Sequence, residues 1–137
     1  MKRITLYRFG PAASELRELE NHYLKLIARY AKVEVRTLKD PGCIVSEEHL
    51  PAGDLIILSE HGREYTTAEF SDLVFAGQQT DLTFVLGNAF GFDAELRKSA
   101  KMLSLSKLTI AHDLAWAVFL EQLYRAGNLH AGGHYHK

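Results

Sequence analysis

Hydrophobic positions along the chain switch repeatedly between a period of two and a period near 3.6, which predicts strands and helices in alternation. Residues 3 to 9, Ile4-Thr5-Leu6-Tyr7-Arg8-Phe9 with the preceding arginine, read as a strand that stops at Gly10-Pro11, since proline cannot donate to a ladder. From Ser14 onward Leu16, Leu19, Tyr23, Leu26, Ile27 and Tyr30 recur at helical spacing, with Glu15, Arg17, Glu18, Lys25 and Arg29 on the other side. This predicts a one-faced helix ending near Tyr30. Residues 33 to 38 alternate with period two and read as a strand, and Lys39-Asp40-Pro41-Gly42 breaks it. The stretch 41 to 53 reads as a loop with room for one helical turn.

Asp54-Leu55-Ile56-Ile57-Leu58 is a short apolar run of the kind buried on both faces of a parallel sheet, and its continuation, Ser59 to Glu64, is polar. Thr66 and Glu69 form a capping box, flanked by Tyr65 and Phe70 as a hydrophobic staple, so a helix should start near Thr67 and run to about Ala76, where Gly77 ends it. Residues 82 to 86 predict a further buried strand, Asp93 caps a helix over 94 to 101, and 103 to 108 predict a last strand. The final helix, roughly 113 to 129, carries Leu114, Trp116, Val118, Phe119, Leu120, Leu123 and Tyr124 in almost every direction around its axis. A domain of 137 residues has little interior in which to hide such a helix, so part of its surface is expected to pack against a second copy, giving a homodimer through this C-terminal helix. Glu121 and Arg125, four apart, are placed to pair. The fold class expected is α/β, a single domain over 1–137 with a mostly parallel sheet covered by helices on both faces.

Charge and composition narrow the function classes. Sixteen Lys and Arg against seventeen Asp and Glu leave a net charge of −1, which argues against coating nucleic acid by bulk electrostatics. A nucleic-acid substrate would have to be engaged through a small site, through shape, or by both copies of an oligomer. No apolar stretch reaches the roughly 18 residues of a membrane span and Met1-Lys2-Arg3-Ile4-Thr5 does not open a signal peptide, so no membrane partner and a cytoplasmic location are expected. Cys43 is the only cysteine and is given no role.

Ligands of open α/β sheets bind beyond the carboxyl ends of strands, here Leu58, Leu86 and Leu108. Gly87 and Gly91 bracket Asn88-Ala89-Phe90, yet no Gly-x-Gly-x-x-Gly and no Gly-Lys-Ser/Thr is present, which excludes the dinucleotide and P-loop readings; alone, this loop reads as an ordinary turn. Ser104, Ser106 and Thr109 alternate with Leu103, Leu105 and Leu108, suiting a strand with one packed face and one of hydroxyls; the serines lack the elbow and partners of a hydrolase triad. His130, His134 and His136 suggest a metal, but Gly132-Gly133 interrupt them and no Cys or paired carboxylate joins them, so no metal site is expected. Tyr135 and His136, at the end of a buried helix, are placed to reach into a neighbouring subunit's site.

The ordered set of Ser-Leu-Ser-Lys-Leu-Thr at 104–109 with His112, then Glu-Gln-Leu-Tyr-Arg-Ala at 121–126, then the terminal Tyr-His-Lys, together with Asn-His-Tyr-Leu-Lys-Leu at 21–26, resembles the SPOUT class of RNA methyltransferases, and within it the small RlmH family, the bacterial large-subunit ribosomal RNA pseudouridine N3-methyltransferases. The resemblance implies a C-terminal deep trefoil knot (the SPOUT, or alpha-beta knot, architecture), with S-adenosyl-L-methionine bent against Leu58, Gly87, Leu105, Ser106, Lys107, Leu108, Thr109 and Ile110. It implies a substrate side made by Arg125, Tyr135 and His136 across the dimer interface, with ribosomal RNA or the assembled ribosome as substrate. His136 is then the candidate base and Arg125 the group that steadies developing negative charge. The chain differs from the family at Asn88, Phe90, Trp116 and His134. These differences point to the competing expectation, a catalytically impaired knotted dimer that binds cofactor or RNA; a metal-binding protein built on the His-rich tail is the remaining class.

Overall fold

A computed structural model describes residues 1–10, 13–38, 54–79, 81–86 and 100–136. Five strands form one sheet in the order β2-β1-β4-β3-β5, with all four pairings parallel. They are β1 (Lys2–Phe9), β2 (Ala31–Leu38), β3 (Asp54–Glu64), β4 (Asp81–Leu86) and β5 (Lys101–Ser104). Helices α1 (Arg17–Ile27, led by a 3₁₀ turn at Ser14–Leu16), α2 (Thr67–Ser71, continued as a π-helical turn over Asp72–Ala76) and α3 (His112–His130) complete the described elements. This is an α/β fold with a parallel sheet, as the alternation of periods predicts.

Strands β1, β3, β4 and β5 alternate their side chains between two clusters, as a pleat requires. Ile4, Leu6, Ile56, Leu58, Leu82, Phe84, Leu86 and Leu103 face the larger core, which also holds Ile27 of α1, Phe70 and Val74 of the α2 segment, and Trp116, Phe119, Leu120 and Leu123 of α3. Phe119 is its pivot, 5.0 Å from Phe84 of β4 and 6.0 Å from Phe70 of α2 between ring centroids. The opposite face carries Tyr7, Phe9, Ile57 and Val85 against Leu55, Ala100 and Met102. The described helices pack around the first face; residues 94 to 99 of the helix predicted over 94–101 lie outside the described residues, and Lys101 already opens β5.

Local chemistry accounts for the boundaries. Thr66 and Glu69 close the predicted capping box in both directions, and Gly77 ends the segment where predicted. Helix α1 stops at Ile27, earlier than the periodicity predicts, because Ala28 to Tyr30 tighten into turns that lead directly into β2. Leu19, expected in the core, is exposed, while Glu20 is buried: its carboxylate accepts from Arg8 Nη1 at 2.7 Å, and Arg8 shares the face of Ile4 and Leu6. The strand predicted over 103 to 108 ends at Ser104. There Ser104 Oγ donates to the Ser106 carbonyl and the Leu108 N–H donates to Ser106 Oγ, so the hydroxyls satisfy their own backbone and compete with a ladder.

Strand β3 continues to Glu64 through a register shift between Leu58 and Arg63, where the sequence reads as loop. Gly62 makes this possible: a Cβ there would stand 2.6 Å from the Met102 carbonyl carbon and 2.7 Å from the Leu103 nitrogen, both backbone atoms of β5. Among the described residues no helix is long and apolar enough to cross a membrane. Gly62→Ala should therefore force the two strands apart and lower unfolding free energy by roughly 1–3 kcal/mol, the usual cost of overpacking, read as a lower denaturation midpoint; an unchanged midpoint would contradict the close approach.

Candidate active site

Leu58 of β3 stands level with the carboxyl ends of β4 and β5, since it pairs with both Leu86 and Leu103. From the sheet edge at Ser104 the chain must reach α3, whose first residue is held at the end of β1: His112 Nε2 donates to the Phe9 carbonyl at 3.0 Å. Segment 105–110 therefore crosses from β5 past β3 and β4 towards β1. Of the cofactor residues expected from the sequence, Leu58 is buried at the floor, Leu105, Ser106 and Ile110 are half-buried, and Lys107, Leu108 and Thr109 are exposed. Leu108, expected at a strand end, is 77% exposed and lies in the crossing segment, because β5 has already stopped. Thr109 Oγ1 donates to Glu60, and Lys107 Nζ lies 3.7 Å from Glu64, so the segment is tethered to the extension of β3. Gly87 lies outside the described residues, as do Asn88 and Phe90.

These residues fit S-adenosylmethionine in kind: an apolar floor at Leu58 and Leu86, main chain and leucines in the crossing segment, and a single lysine already facing a carboxylate. Such a lining suits an adenosine and a methionine chain better than a polyphosphate. Among the described residues no group of three or more His, Cys, Asp or Glu side chains is placed to hold a metal ion; His130 stacks on Phe75 at 5.8 Å.

The residues expected on the substrate side come together at the other end of α3. Arg125 Nε donates to Glu121 Oε1 at 2.8 Å, realising the predicted i,i+4 pair, and Arg125 Nη1 lies 3.3 Å from His136 Nδ1. A guanidinium can only donate, so that imidazole nitrogen accepts. The Arg125 guanidinium also sits 4.6 Å from the Tyr135 ring centroid, and the Tyr135 hydroxyl donates to Glu121 Oε1 at 3.2 Å. The tail can fold back because Gly132, at φ +79, completes a Schellman motif: Gly133 N–H reaches the Asn128 carbonyl and Gly132 N–H the Leu129 carbonyl. Asn128 then accepts from the Tyr135 N–H through Oδ1 and donates to the Tyr30 hydroxyl.

Among the described residues no hydrogen bond or ring contact joins these two groups within one chain. Helix α3 starts beside Phe9, the last residue of β1, and its end lies beside Tyr30, which immediately precedes β2. It therefore runs opposite to the strands, and Arg125 stands about 20 Å along the axis from His112. Sequence reasoning also missed four participants. Arg8 holds Glu20 and lies 5.0 Å over the Trp116 indole, whose Nε1 is buried without a hydrogen-bond partner. Glu60 and Gln122 are the others. Arg8 left a signal, a charge at the strand parity of Ile4 and Leu6, and Gln122 stands within the Glu-Gln-Leu-Tyr-Arg-Ala run at 121–126.

Hydrogen bonding to Glu121 raises the Arg125 pKa, so it stays cationic throughout the physiological range. Desolvation first, then the neighbouring Tyr23 hydroxyl and Glu121 carboxylate, push the Tyr135 phenol up to about 12. The folded chain thus binds this proton more tightly than the unfolded one, and the resulting stabilisation, present below the ordinary tyrosine range near pH 10, is lost as pH rises through about 12. Tyrosinate absorbance should show a component ionising near pH 12 that vanishes in Tyr135→Phe; a wild-type curve identical to that of the variant would contradict the packing of the tail.

Comparison with known proteins bears on the whole chain. A family described as "Predicted SPOUT methyltransferase" matches residues 2–136. The chain is 34% identical over 147 residues, covering 99% of both sequences, to a protein of Thermodesulfovibrio yellowstonii named ribosomal RNA large subunit methyltransferase H. Proteins of the same name from Maridesulfovibrio salexigens (37% identity, 84% of this chain and 85% of the relative) and Gloeobacter violaceus (33%, 98% of both) are similar along most or all of their length. With its parallel α/β sheet, its segment crossing from β5 towards β1 and its folded-back tail, the chain belongs to the SPOUT methyltransferases, in their RlmH family.

Proposed function

We propose that this protein transfers a methyl group from S-adenosyl-L-methionine to N3 of a pseudouridine in large-subunit ribosomal RNA, in the cytoplasm, as a homodimer. The observation that carries the reading is segment 105–110 crossing from β5 past β3 and β4 towards β1, offering main chain and leucine where a cofactor of this family would bind. The relatives' names supply the substrate class. The strand order, with β3 between β4 and β5 and α3 returning to the end of β1, supports a trefoil knot in the C-terminal half.

The dimer reading follows from the separation of the two groups. Leu114 and Val118 are 54% and 42% exposed, and with Glu121 and Arg125 they fall in one roughly 60° stripe of α3. Two such helices packed antiparallel would bury the leucine and valine and bring Arg125, Tyr135 and His136 of one copy to segment 105–110 of the other. Each active site is then built from both chains.

The cofactor brings an already activated sulfonium methyl, so the protein's task is to hold the base in line and exclude water. Leu58, with Gly87 and 105–110, would hold the cofactor. His136 Nδ1, which carries the lone pair, would take the N3 proton, while Arg125 shifts its N–H from the imidazole to the neighbouring carbonyl oxygen as charge develops there. Tyr135, kept neutral, would pack and orient that guanidinium.

Calorimetry should show binding of S-adenosylmethionine, with no heat at millimolar ligand arguing against the cofactor. Ribosomes lacking the modification should then take up labelled methyl in large-subunit RNA, with His136→Ala slower by roughly 10²–10⁴ and Arg125→Ala by roughly 10²–10³; full transfer by both variants would refute the roles given. A second reading, a knotted dimer that binds without transferring methyl, is favoured by Trp116, whose stacked cation, Arg8, is paired with Glu20. Cofactor binding without label in the RNA would decide for it. Co-expressing an Arg125→Ala chain with one impaired at segment 105–110 should restore about one active site per mixed dimer; no recovery would argue against sites shared between chains.

A further inference from the structure

We propose that Gln122 is the residue that distinguishes pseudouridine from uridine, by pairing its amide with the N1–H and O2 edge of the base. This rests on the pseudouridine reading above and names the feature that would make it selective. Beside segment 105–110 lies a pocket of about 250 Å³ between the start of α2, the end of β5 and the middle of α3. Tyr65 and Phe70 give it aromatic walls, Leu105 and Val118 aliphatic ones, and Gln122 and Thr67 stand among its polar ones. Flat aromatic and aliphatic walls with a few placed polar groups are what a nucleobase needs. Leu105 belongs both to this pocket and to the segment assigned to the cofactor, so a base seated here lies beside the methyl donor.

The amide is held at both ends. Thr67 Oγ1 donates to Gln122 Oε1 at 3.0 Å, and Gln122 Nε2 donates to Glu121 Oε2 at 2.9 Å. Thr67 is itself fixed as the first residue of the capped helix α2, and Glu121 by Arg125 and Tyr135. An amide oxygen has two lone pairs and its nitrogen two N–H groups, so one acceptor site and one donor site remain unused. A donor and an acceptor side by side match a ring edge that offers N–H beside C=O. Pseudouridine carries such an edge at N1–H and O2 because its ribose is attached through carbon, which leaves N1 its hydrogen; N3, on the other side of O2, receives the methyl. In uridine N1 is bonded to the ribose and has no hydrogen to give, so the amide oxygen would be left facing a base without a donor, the kind of loss a polar site discriminates against most strongly.

The test compares methyl transfer to ribosomes carrying pseudouridine or uridine at the modified position, for wild type, Gln122→Met and Thr67→Val, with S-adenosylmethionine affinity measured alongside. Wild type should prefer pseudouridine, and Gln122→Met should lose roughly 10- to 100-fold of that preference, the range for a bidentate base-edge contact, with cofactor affinity unchanged. Thr67→Val, which frees the amide from one of its two holders, should shift selectivity in the same direction by less, and stands in should Gln122→Met fail to fold. Equal losses on both substrates, or an intact preference in the variants, would overturn the assignment while leaving the methyl-transfer reading in place. Absence of transfer by wild type to either substrate would instead overturn the function on which it rests.

Discussion

The arrangement of this molecule depends on how α3 is laid on the sheet. Phe119, wholly buried between Phe84 and Phe70, joins strand, short helix and long helix in one aromatic contact, flanked by Trp116, Leu120 and Leu123. Burial on this scale, roughly 1.5–3 kcal/mol for each such side chain, holds the helix to one track. That track runs from the carboxyl ends of the strands to their amino ends. The packing that stabilises the chain therefore sets the two ends of α3 at opposite ends of the sheet, the arrangement from which the proposed two-chain site follows.

Electrostatics organises the far end of α3 as hydrophobic contact organises its middle. Glu121 accepts from Arg125 and Tyr135 through one oxygen and from Gln122 through the other. Charge-assisted contacts of this kind hold direction well, so a tail that a polar composition would leave loose is tied to the helix it follows. Gly132 supplies the reversal and Asn128 the second anchor. Tyr135 and His136 are thus placed by the helix, within a few turns of it.

A good deal of this was legible in the residues. The alternation of periods implied the α/β class, and the Thr66–Glu69 capping box and the Glu121–Arg125 pair were readable because each depends on spacing within a single helix. The resemblance of the terminal motifs named Arg125, Tyr135 and His136 together, and they do meet. Readings failed where a hydrogen bond competed with a pattern. Ser104 and Ser106 alternate like strand residues, yet their hydroxyls turn back onto the main chain. Leu19 fits a helical stripe, but the neighbouring Glu20 is the residue drawn inward, because Arg8 waits there on a different element.

The sequence by itself determined the elements, their caps and the pairs set by helical spacing, because these follow from local propensity and from periodicities that a chain carries in its own order. Only the tertiary structure decided which charges are buried together, how β3 passes Gly62 to continue beside β5, and that α3 runs against the strands. Those outcomes depend on contacts between residues far apart in the chain, whose energies no local pattern records. The placing of His112 at the end of β1 and of Asn128 beside Tyr30, at opposite ends of the sheet, is of that kind.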